Sequence, residues 1–229
     1  MKEIIRKLIP YRYRLALHNL LTGYVTKSYS QEGEDLILKR LFEGITNGFF
    51  VDIGAHHPQR FSNTYLFYKL GWTGINIDAM PGSMVPFNKK RPKDINLEIP
   101  VSDRSSSLTY YAFSEPAFNG FSAELSEERI ASGEKLLFKK DIQTERLDVI
   151  LKKNLPSGKK IDFMSVDVEG LDLQVLRSND WQLYRPTVLV VEIFGTTIQD
   201  VLNSEVNEYL ENLGYLLTAK TANSCIYKL

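Results

Sequence analysis

The sequence predicts a doubly wound α/β fold, in which a mostly parallel seven-stranded sheet ends in an antiparallel hairpin. Three observations lead to this prediction. Apolar runs with the length of buried strands alternate along the chain with amphipathic helical segments. The run at 187–193 is apolar almost throughout, as expected for a strand that is buried on both faces. Two more strands close the chain with a short loop between them, and strands joined in this way pair as a hairpin.

Length and composition restrict the class of protein. The 229 residues are enough for one domain with a large core. Hydrophobic and charged residues make up 43% and 24% of the chain, which excludes a disordered or fibrous protein. The 28 basic and 28 acidic residues give a formal net charge of zero, so we expect no nucleic-acid partner. The single cysteine, Cys225, excludes an internal disulfide and an all-cysteine zinc site.

Residues 1–27 differ in kind from the rest and are predicted to form a helical arm on the main domain, residues 28–229. Apolar residues recur there at helical spacing between lysines and arginines, and Pro10 divides the segment into two short helices. One interpretation is a basic amphipathic arm in peripheral contact with the inner face of a membrane. The other, which we favour, is an arm that packs on the main domain or on the second subunit of a homodimer. No apolar run reaches the roughly 18–20 residues of a membrane span, so we expect a cytoplasmic protein.

Residues 28–101 contain three helices and three strands with recognisable boundaries. Ser30 and the acidic residues that follow it favour the first turn of a helix. The Ser62-Asn63-Thr64 segment caps a second helix, which ends at Gly71, and Pro81 begins a third. The predicted elements are helices at 36–42, 65–70 and 83–90 and strands at 48–53, 73–78 and 95–101.

The second half of the chain continues the alternation and ends in the hairpin. An exposed strand at 108–113 precedes a polar segment, 114–140, which we predict to be irregular. The terminal hairpin distinguishes this Rossmann-like sheet, as one of the methyltransferase type, from an ordinary dinucleotide-binding sheet. The remaining predicted elements are strands at 160–166, 187–193, 215–220 and 224–228 and helices at 146–154, 171–177 and 197–213.

Acidic residues follow nearly every predicted strand. In doubly wound sheets the ligand lies beyond the carboxyl ends of the strands, near the point where the strand order reverses. Any single acidic residue there is more often a helix cap than a ligand contact. Acidic residues at five strand ends on one edge need a cation to offset their repulsion. In strand order, the candidate residues are Asp52, Gly54 and Ala55; Asp78 and Ala79; Ser102 and Asp103; Asp167 and Glu169; and Glu192.

The residue types predict S-adenosylmethionine as the cofactor. Gly54 allows the backbone to approach the ligand closely, and Asp78 accepts hydrogen bonds from both ribose hydroxyls. Asp52 in the glycine turn would repel a pyrophosphate but pairs with the cationic amino-acid end of this cofactor. Ser102 or Asp103 reaches the adenine amino group. Gln31 folds over the cofactor, Asn63 caps a helix that points at the site, and Ala79 and Glu169 complete the predicted contacts.

Three residues are candidates for catalysis. Asp167 and Glu192 face the acceptor, where a carboxylate takes a proton from a hydroxyl group or, with its neighbour, holds a divalent ion such as Mg²⁺. His56 follows the glycine turn and titrates close to neutral, so it is a candidate general base. The alternative for this histidine pair, His56 and His57, is that it only shapes the loop. Aromatic residues between 110 and 121 are either a lid over a sugar acceptor or ordinary packing.

Three motifs in this order resemble the FkbM family of methyltransferases. They are Ser28-Tyr29-Ser30-Gln31-Glu32-Gly33-Glu34-Asp35, Val51-Asp52-Ile53-Gly54-Ala55 and Ser165-Val166-Asp167-Val168-Glu169-Gly170. The resemblance implies a class I fold, S-adenosylmethionine as cofactor and, in most relatives, O-methylation of natural products or of sugars in surface polysaccharides. The chain departs from the family at His56-His57-Pro58, where a second glycine is common.

The functional expectation is therefore an O-methyltransferase that acts on a sugar hydroxyl of a surface polysaccharide or glycan precursor. A small natural product is the alternative acceptor. A nicotinamide-dependent dehydrogenase is disfavoured because the Gly-x-Gly-x-x-Gly loop is absent. A binding or assembly protein that has kept the fold without catalysis is the alternative from a different class.

Overall fold

The structure is a computed structural model that describes residues 10, 13, 15, 20, 23, 25–115, 118–195 and 197–229. Strands and helices alternate along the described part of the chain. In chain order the elements are α1 (Glu34–Leu41), β1 (Phe49–Ile53), α2 (Tyr65–Leu70), β2 (Thr73–Asp78), α3 (Met84–Lys90), β3 (Ile95–Glu98), β4 (Ser107–Phe113), α4 (Ala123–Ala131), β5 (Leu136–Gln143), α5 (Leu147–Asn154), β6 (Phe163–Val166), α6 (Asp172–Arg177), β7 (Val188–Glu192), α7 (Ile198–Leu202), α8 (Glu205–Asn212), β8 (Leu216–Lys220) and β9 (Ser224–Lys228).

The main sheet has seven strands in the order β3-β2-β1-β6-β7-β9-β8. The first five of these strands are parallel. β9 is antiparallel to both of its neighbours, β7 and β8. This confirms the predicted mostly parallel sheet with an antiparallel terminal hairpin. The strand order reverses between β1 and β6, so the crevice that binds ligands in such sheets opens at the carboxyl ends of these two strands.

Helices cover both faces of the sheet, because alternate side chains of each strand point to opposite faces. Val51 and Ile53 of β1 belong to the larger core, which includes residues of α5, α6 and α8. Phe50 belongs to the second core, together with Leu38 of α1 and Phe67 of α2. All five residues of β1 are buried, as the central strand of a doubly wound sheet should be. Asp52 is thus a carboxylate inside the layer that contains α1 and α2.

The segment 114–140, predicted to be irregular, instead contains α4 and the start of β5. β4 and β5 form a separate antiparallel sheet of two strands. The prediction was wrong because β5 is largely exposed and carries consecutive charged residues, Lys139 to Asp141, so its sequence shows no alternation. Pairing with β4 makes this segment a strand, and the pattern of a single sequence does not record that partner.

Two further predicted boundaries were wrong. The predicted helix at 197–213 is divided into α7 and α8, because the hydroxyl of Ser204 accepts a hydrogen bond from the backbone of Asn207 (3.1 Å) and so starts a new helix. The third strand ends at Glu98 rather than at Val101. Val101 forms an isolated parallel bridge with Glu145 instead.

The predicted arm, residues 1–27, lies mostly outside the described residues. Within it Tyr13, Leu15 and Leu20 are helical and exposed. Its contact with a membrane or with a partner subunit stays a prediction. No helix in the part of the chain that the structure describes has both the length and the apolar character needed to cross a membrane.

Candidate active site

A cavity of about 290 Å³ opens at the carboxyl ends of the parallel strands, near the lower end of the range for ligand pockets in proteins. The insertion that carries β4, α4 and β5 supplies one of its walls. Eight of the predicted site residues line it: Gln31, Gly54, His56, Asp78, Ala79, Asp167, Glu169 and Glu192. Sequence reasoning did not anticipate several apolar or basic lining residues: Ile77, Met80, Ile99, Val101, Arg129 and Phe194.

Gly54 allows the loops that follow β1 and β6 to approach each other closely. Its φ angle is 81°, in the left-handed region that favours glycine. A Cβ atom added here would lie 1.6 Å from the carbonyl oxygen of Asp167. The backbone N–H groups of Gly54 and Ala55 both donate to the carbonyl of Ile77 (2.9 and 3.0 Å). Ala55 is buried against Met84 and Phe87 and supports the turn from beneath instead of lining the cavity.

Asp78 holds the glycine turn and also faces the cavity. Its carboxylate accepts hydrogen bonds from the backbone N–H groups of His56 (2.9 Å) and Met80 (2.8 Å). Burial raises the pKa of this carboxyl, while these two N–H donors oppose the increase. His56 adopts a φ angle of 51°, which is unusual for a residue with a side chain. The local backbone is thus organised around a single carboxylate at the end of β2.

Asp52 does not line the cavity. Its carboxylate accepts a hydrogen bond from the hydroxyl of Thr64 (2.6 Å). Burial raises the pKa of Asp52, whereas Thr64 and the positive charge of Arg91 oppose that increase. We predicted that Asp52 contacts the cationic end of the cofactor. The structure instead directs this carboxylate into the protein beneath the glycine turn.

A buried ion pair lies next to Asp52. Arg91 is 0% exposed and donates through Nε to Asp94 (2.8 Å) and through Nη1 to Thr64 (3.0 Å). Asp94 also accepts from the backbone of Gly74 and from the amide of Asn76. The network therefore connects β2 and the end of α3 with the carboxylate at the start of the glycine turn. Without Arg91, the buried carboxylates would lack a counter-charge.

Three other predicted contacts lie outside the cavity lining. The side-chain amide of Asn63 donates to the hydroxyl of Ser165 on β6 (3.0 Å). Ser102 is buried, and its backbone N–H donates to the carbonyl of Glu145 (3.1 Å). The carboxylate of Asp103 pairs with Arg104 (3.3 Å). Ile99 and Val101 present their side chains to the cavity where Ser102 and Asp103 were expected.

Asp167 and Glu192 form a partly buried carboxyl pair at the ends of the neighbouring strands β6 and β7. The Oδ1 atom of Asp167 and the Oε2 atom of Glu192 are buried without a hydrogen-bond partner. Burial and the proximity of Asp167 raise the pKa of Glu192 to about 10. Burial, with the charges of Asp172 and Glu169, also raises the pKa of Asp167 well above its usual range. The pair therefore carries a proton at neutral pH, because Glu192 keeps its own.

Glu169 connects the sheet with the insertion. Its φ angle is 54°, and its carboxylate forms an ion pair with Arg129 of α4. Arg129 also donates to the carbonyl of Phe118 (2.7 Å) and lies over the Phe118 ring. Within the predicted aromatic lid, Tyr110, Phe118 and Phe121 line the cavity, whereas Tyr111 and Phe113 do not.

The two histidines of the glycine turn have different surroundings. Burial lowers the pKa of His56, which lines the cavity and stacks on the ring of Phe61. His57 accepts hydrogen bonds at Nδ1 from the backbone N–H groups of Gln59 (3.1 Å) and Arg60 (2.9 Å), so it shapes the turn. Across the described residues, no group of three or more histidine, cysteine or acidic side chains is arranged to hold a metal ion. The divalent ion expected between Asp167 and Glu192 thus stays a prediction.

Comparison with known proteins adds to this geometry. Residues 52–217 match the family model described as the methyltransferase FkbM domain. The chain belongs to this family. A protein of Sordaria araneosa described as methyltransferase sdnD is 31% identical over 108 residues, which cover 43% of this chain and 38% of that protein. The chain thus matches less than half the length of this relative. The FkbM match runs from Asp52 to β8 and contains the acidic residues of the cavity, Asp78 to Glu192.

Proposed function

We propose that this FkbM-family chain is an S-adenosylmethionine-dependent O-methyltransferase that acts on a sugar hydroxyl of a surface polysaccharide or glycan precursor. The family supports methyl transfer as the reaction class. The observation that carries the proposal is the Asp167–Glu192 pair. It contributes two buried carboxyl oxygens without hydrogen-bond partners beside a cavity at the ligand-binding edge of the sheet.

The lining fits the three parts of the cofactor. Ile99, Val101 and Met80 form an apolar side beyond β2 that suits a planar base. Asp78, at the end of β2, is placed to accept hydrogen bonds from the ribose hydroxyls. Near the end of β6 the lining is acidic, with Asp167 and Glu169, which suits a ligand with positively charged sulfonium and amino groups. Arg129, the cation among the described lining residues, is already paired with Glu169.

Catalysis requires an aligned hydroxyl and a group that accepts its proton. When bound, S-adenosylmethionine would supply a methyl group on a positively charged sulfur, and the sulfur would leave as the acceptor oxygen bonds to the methyl carbon. An alcohol is a poor nucleophile until its proton is removed, so alignment and proton acceptance are the tasks of the protein. With one proton on the pair and one carboxyl ionised, the ionised oxygen accepts the proton of the hydroxyl. Positive charge in the cavity lowers both carboxyl pKa values and favours this ionised form.

His56 is the alternative proton acceptor, since burial keeps its imidazole neutral at pH 7. His56 follows β1, and its backbone N–H donates to the carboxylate of Asp78 at the end of β2. Glu192 lies at the end of β7, on the opposite side of the strand-order reversal. Because the cofactor fits over β2, β1 and β6, the acceptor is expected beyond β6. We therefore assign proton acceptance to Asp167 and Glu192 and a position beside the ribose to His56.

Calorimetry with S-adenosylhomocysteine, followed by assays of methyl transfer to a panel of glycans and small alcohols, tests the function. We expect one molecule of the nucleoside to bind per chain and a sugar hydroxyl to be methylated. Methylation of non-sugar alcohols alone would favour a small natural product as the acceptor. Binding of NAD in place of the nucleoside would support a dehydrogenase. Cofactor binding without transfer to any acceptor class would favour a non-catalytic protein.

We further propose a cytoplasmic enzyme whose residues 1–27 contact either an anionic membrane surface or a second subunit. The basic and apolar composition of this segment supports both alternatives. Deletion of residues 1–27 should release the protein from anionic vesicles if the first alternative holds. If the second holds, the deletion should convert a dimer to a monomer in light scattering. Binding of the nucleoside should be unchanged in both cases.

A further inference from the structure

A second pocket continues the cavity on the side away from β2. It lies between the chain that follows β7 and the turn between β8 and β9, and its volume is about 620 Å³. Phe194 and Asn223 line both the cavity and this second pocket. The other residues that line the second pocket are Gly195, Ile198, Lys220, Thr221 and Ala222. Since the cofactor fits over β2, β1 and β6, a ligand that extends past Glu192 enters this pocket.

The passage between the two pockets has the chemistry of a sugar site. Phe194 is 56% exposed and lies two residues after Glu192. The side-chain amides of Gln31 and Asn223 are exposed at the cavity mouth and have no hydrogen-bond partner among the described residues. An amide offers both donors and acceptors, which suits neighbouring hydroxyl groups, and an aromatic face suits the C–H face of a sugar ring.

The turn that carries Asn223 is fixed from several sides. Its backbone N–H donates to the carboxylate of Glu32 (2.9 Å), and its carbonyl accepts from the backbone of Ile193 (3.0 Å). The hydroxyl of Thr221 donates to the buried Glu34 (3.2 Å). Lys220 donates through Nζ to the carbonyls of Thr221 (2.9 Å) and Ala222 (2.8 Å). Because the backbone of this turn is already fixed, a ligand that bonds to the Asn223 amide does not have to order the turn. This favours affinity.

We propose that the second pocket is a subsite for the sugar unit next to the one that is methylated, so that the acceptor is at least a disaccharide. This inference rests on the proposed function, because it takes Glu192 as the position of the reacting hydroxyl. The methylated unit lies beside Asp167 and Glu192. The adjacent unit stacks on Phe194 and bonds to Asn223, with Ile198 as the opposite apolar wall.

Ligand-observed NMR titrations test the subsite. Protein saturated with S-adenosylhomocysteine is titrated with the methyl glycosides of glucose, galactose, mannose and rhamnose and with disaccharides built from them. We expect at least one disaccharide to bind about tenfold more tightly than its monosaccharide, since the subsite adds about one hydrogen bond and one stacked face. Phe194→Ala and Asn223→Ala should each remove most of that difference. Phe138→Ala, which truncates an exposed ring outside both pockets, should keep it.

Calorimetry with S-adenosylhomocysteine separates this inference from the proposed function. Both subsite variants should bind the nucleoside with unchanged affinity, because neither residue lies on the cofactor side of the cavity. Equal affinities for monosaccharides and disaccharides, or no binding of any glycoside by protein that binds the nucleoside, would overturn the subsite alone. Failure to bind the nucleoside would overturn the proposed function as well. A dimer in light scattering that Ile198→Glu converts to a monomer would show that a second copy covers this surface and would also overturn the subsite.

Discussion

Replacement of Glu192 by glutamine should weaken the dependence of stability on pH. Folding raises the pKa of this carboxyl from 4.5 to about 10. An acid of this kind binds its proton more tightly in the folded state, so the free energy of unfolding falls as pH rises between these two values. Glutamine has nearly the same shape as the protonated acid but does not titrate, so the variant lacks this contribution.

The magnitude follows from the pKa change. The unfolded state is about three-quarters ionised at this position at pH 5 and almost fully ionised at pH 7, whereas the folded state keeps its proton. Each pH unit then changes the free energy of unfolding by about 1.4 kcal/mol. The wild type should therefore lose about 2.5 kcal/mol more than Glu192→Gln over this interval.

Urea denaturation at pH 5 and pH 7 measures this difference, and the buried Trp72 and Trp181 report unfolding through their fluorescence. Glu127→Gln, which changes an exposed glutamate of α4, is the matched control and should reproduce the wild-type difference. If the wild type and Glu192→Gln lose the same free energy between the two pH values, the proton taken up on folding is not held by Glu192. The assignment of this proton to Glu192, and with it the proposed proton acceptor, would then be refuted.

Two further predictions concern the frame of the site. In urea denaturation, Gly54→Ala should destabilise the protein by at least about 2 kcal/mol, because the added Cβ would meet the carbonyl of Asp167. Gly158 is also at positive φ but has open space around it, so Gly158→Ala should cost only about 1 kcal/mol. Arg91→Met should lower the free energy of unfolding by about 3–5 kcal/mol, because Asp94 stays buried without its partner. The control Arg40→Met removes an exposed ion pair and should change the free energy of unfolding by less than about 1 kcal/mol. Equal losses within either pair of variants would contradict the corresponding structural reason.

The central strands could be predicted from sequence because each is encoded locally. The helix 65–70 and the strand 73–78 have the bounds that the sequence predicts, since Gly71 ends one and Asp78 ends the other. The terminal hairpin was predicted from its short loop, which leaves adjacent strands few alternatives. β5 could not be predicted, because its partner β4 lies more than twenty residues away and its own side chains are exposed.

The sequence predicted the location of the candidate site better than the contacts that its side chains make. Asp78, Asp167, Glu169 and Glu192 line one cavity because the carboxyl ends of parallel strands meet at one edge. Asp52 precedes the turn by two residues, but the alternation of β1 directs it to the face that contains Thr64. Strand alternation predicts the face on which the Asp52 side chain lies, but no pattern in the sequence predicts that Thr64 is its partner. Tertiary packing of the insertion decides the position of residues such as Arg129 and Phe118.

Calorimetric titration with S-adenosylhomocysteine at pH 7 tests most directly whether this cavity is a cofactor site. The wild type should bind one molecule per chain. Asp78→Asn should weaken binding by at least about tenfold, because the charged acceptor for the ribose hydroxyls is lost. Asp141→Asn on exposed β5 should leave it unchanged. No binding by folded wild-type protein, or equal affinity in Asp78→Asn, would contradict the assignment of the cavity.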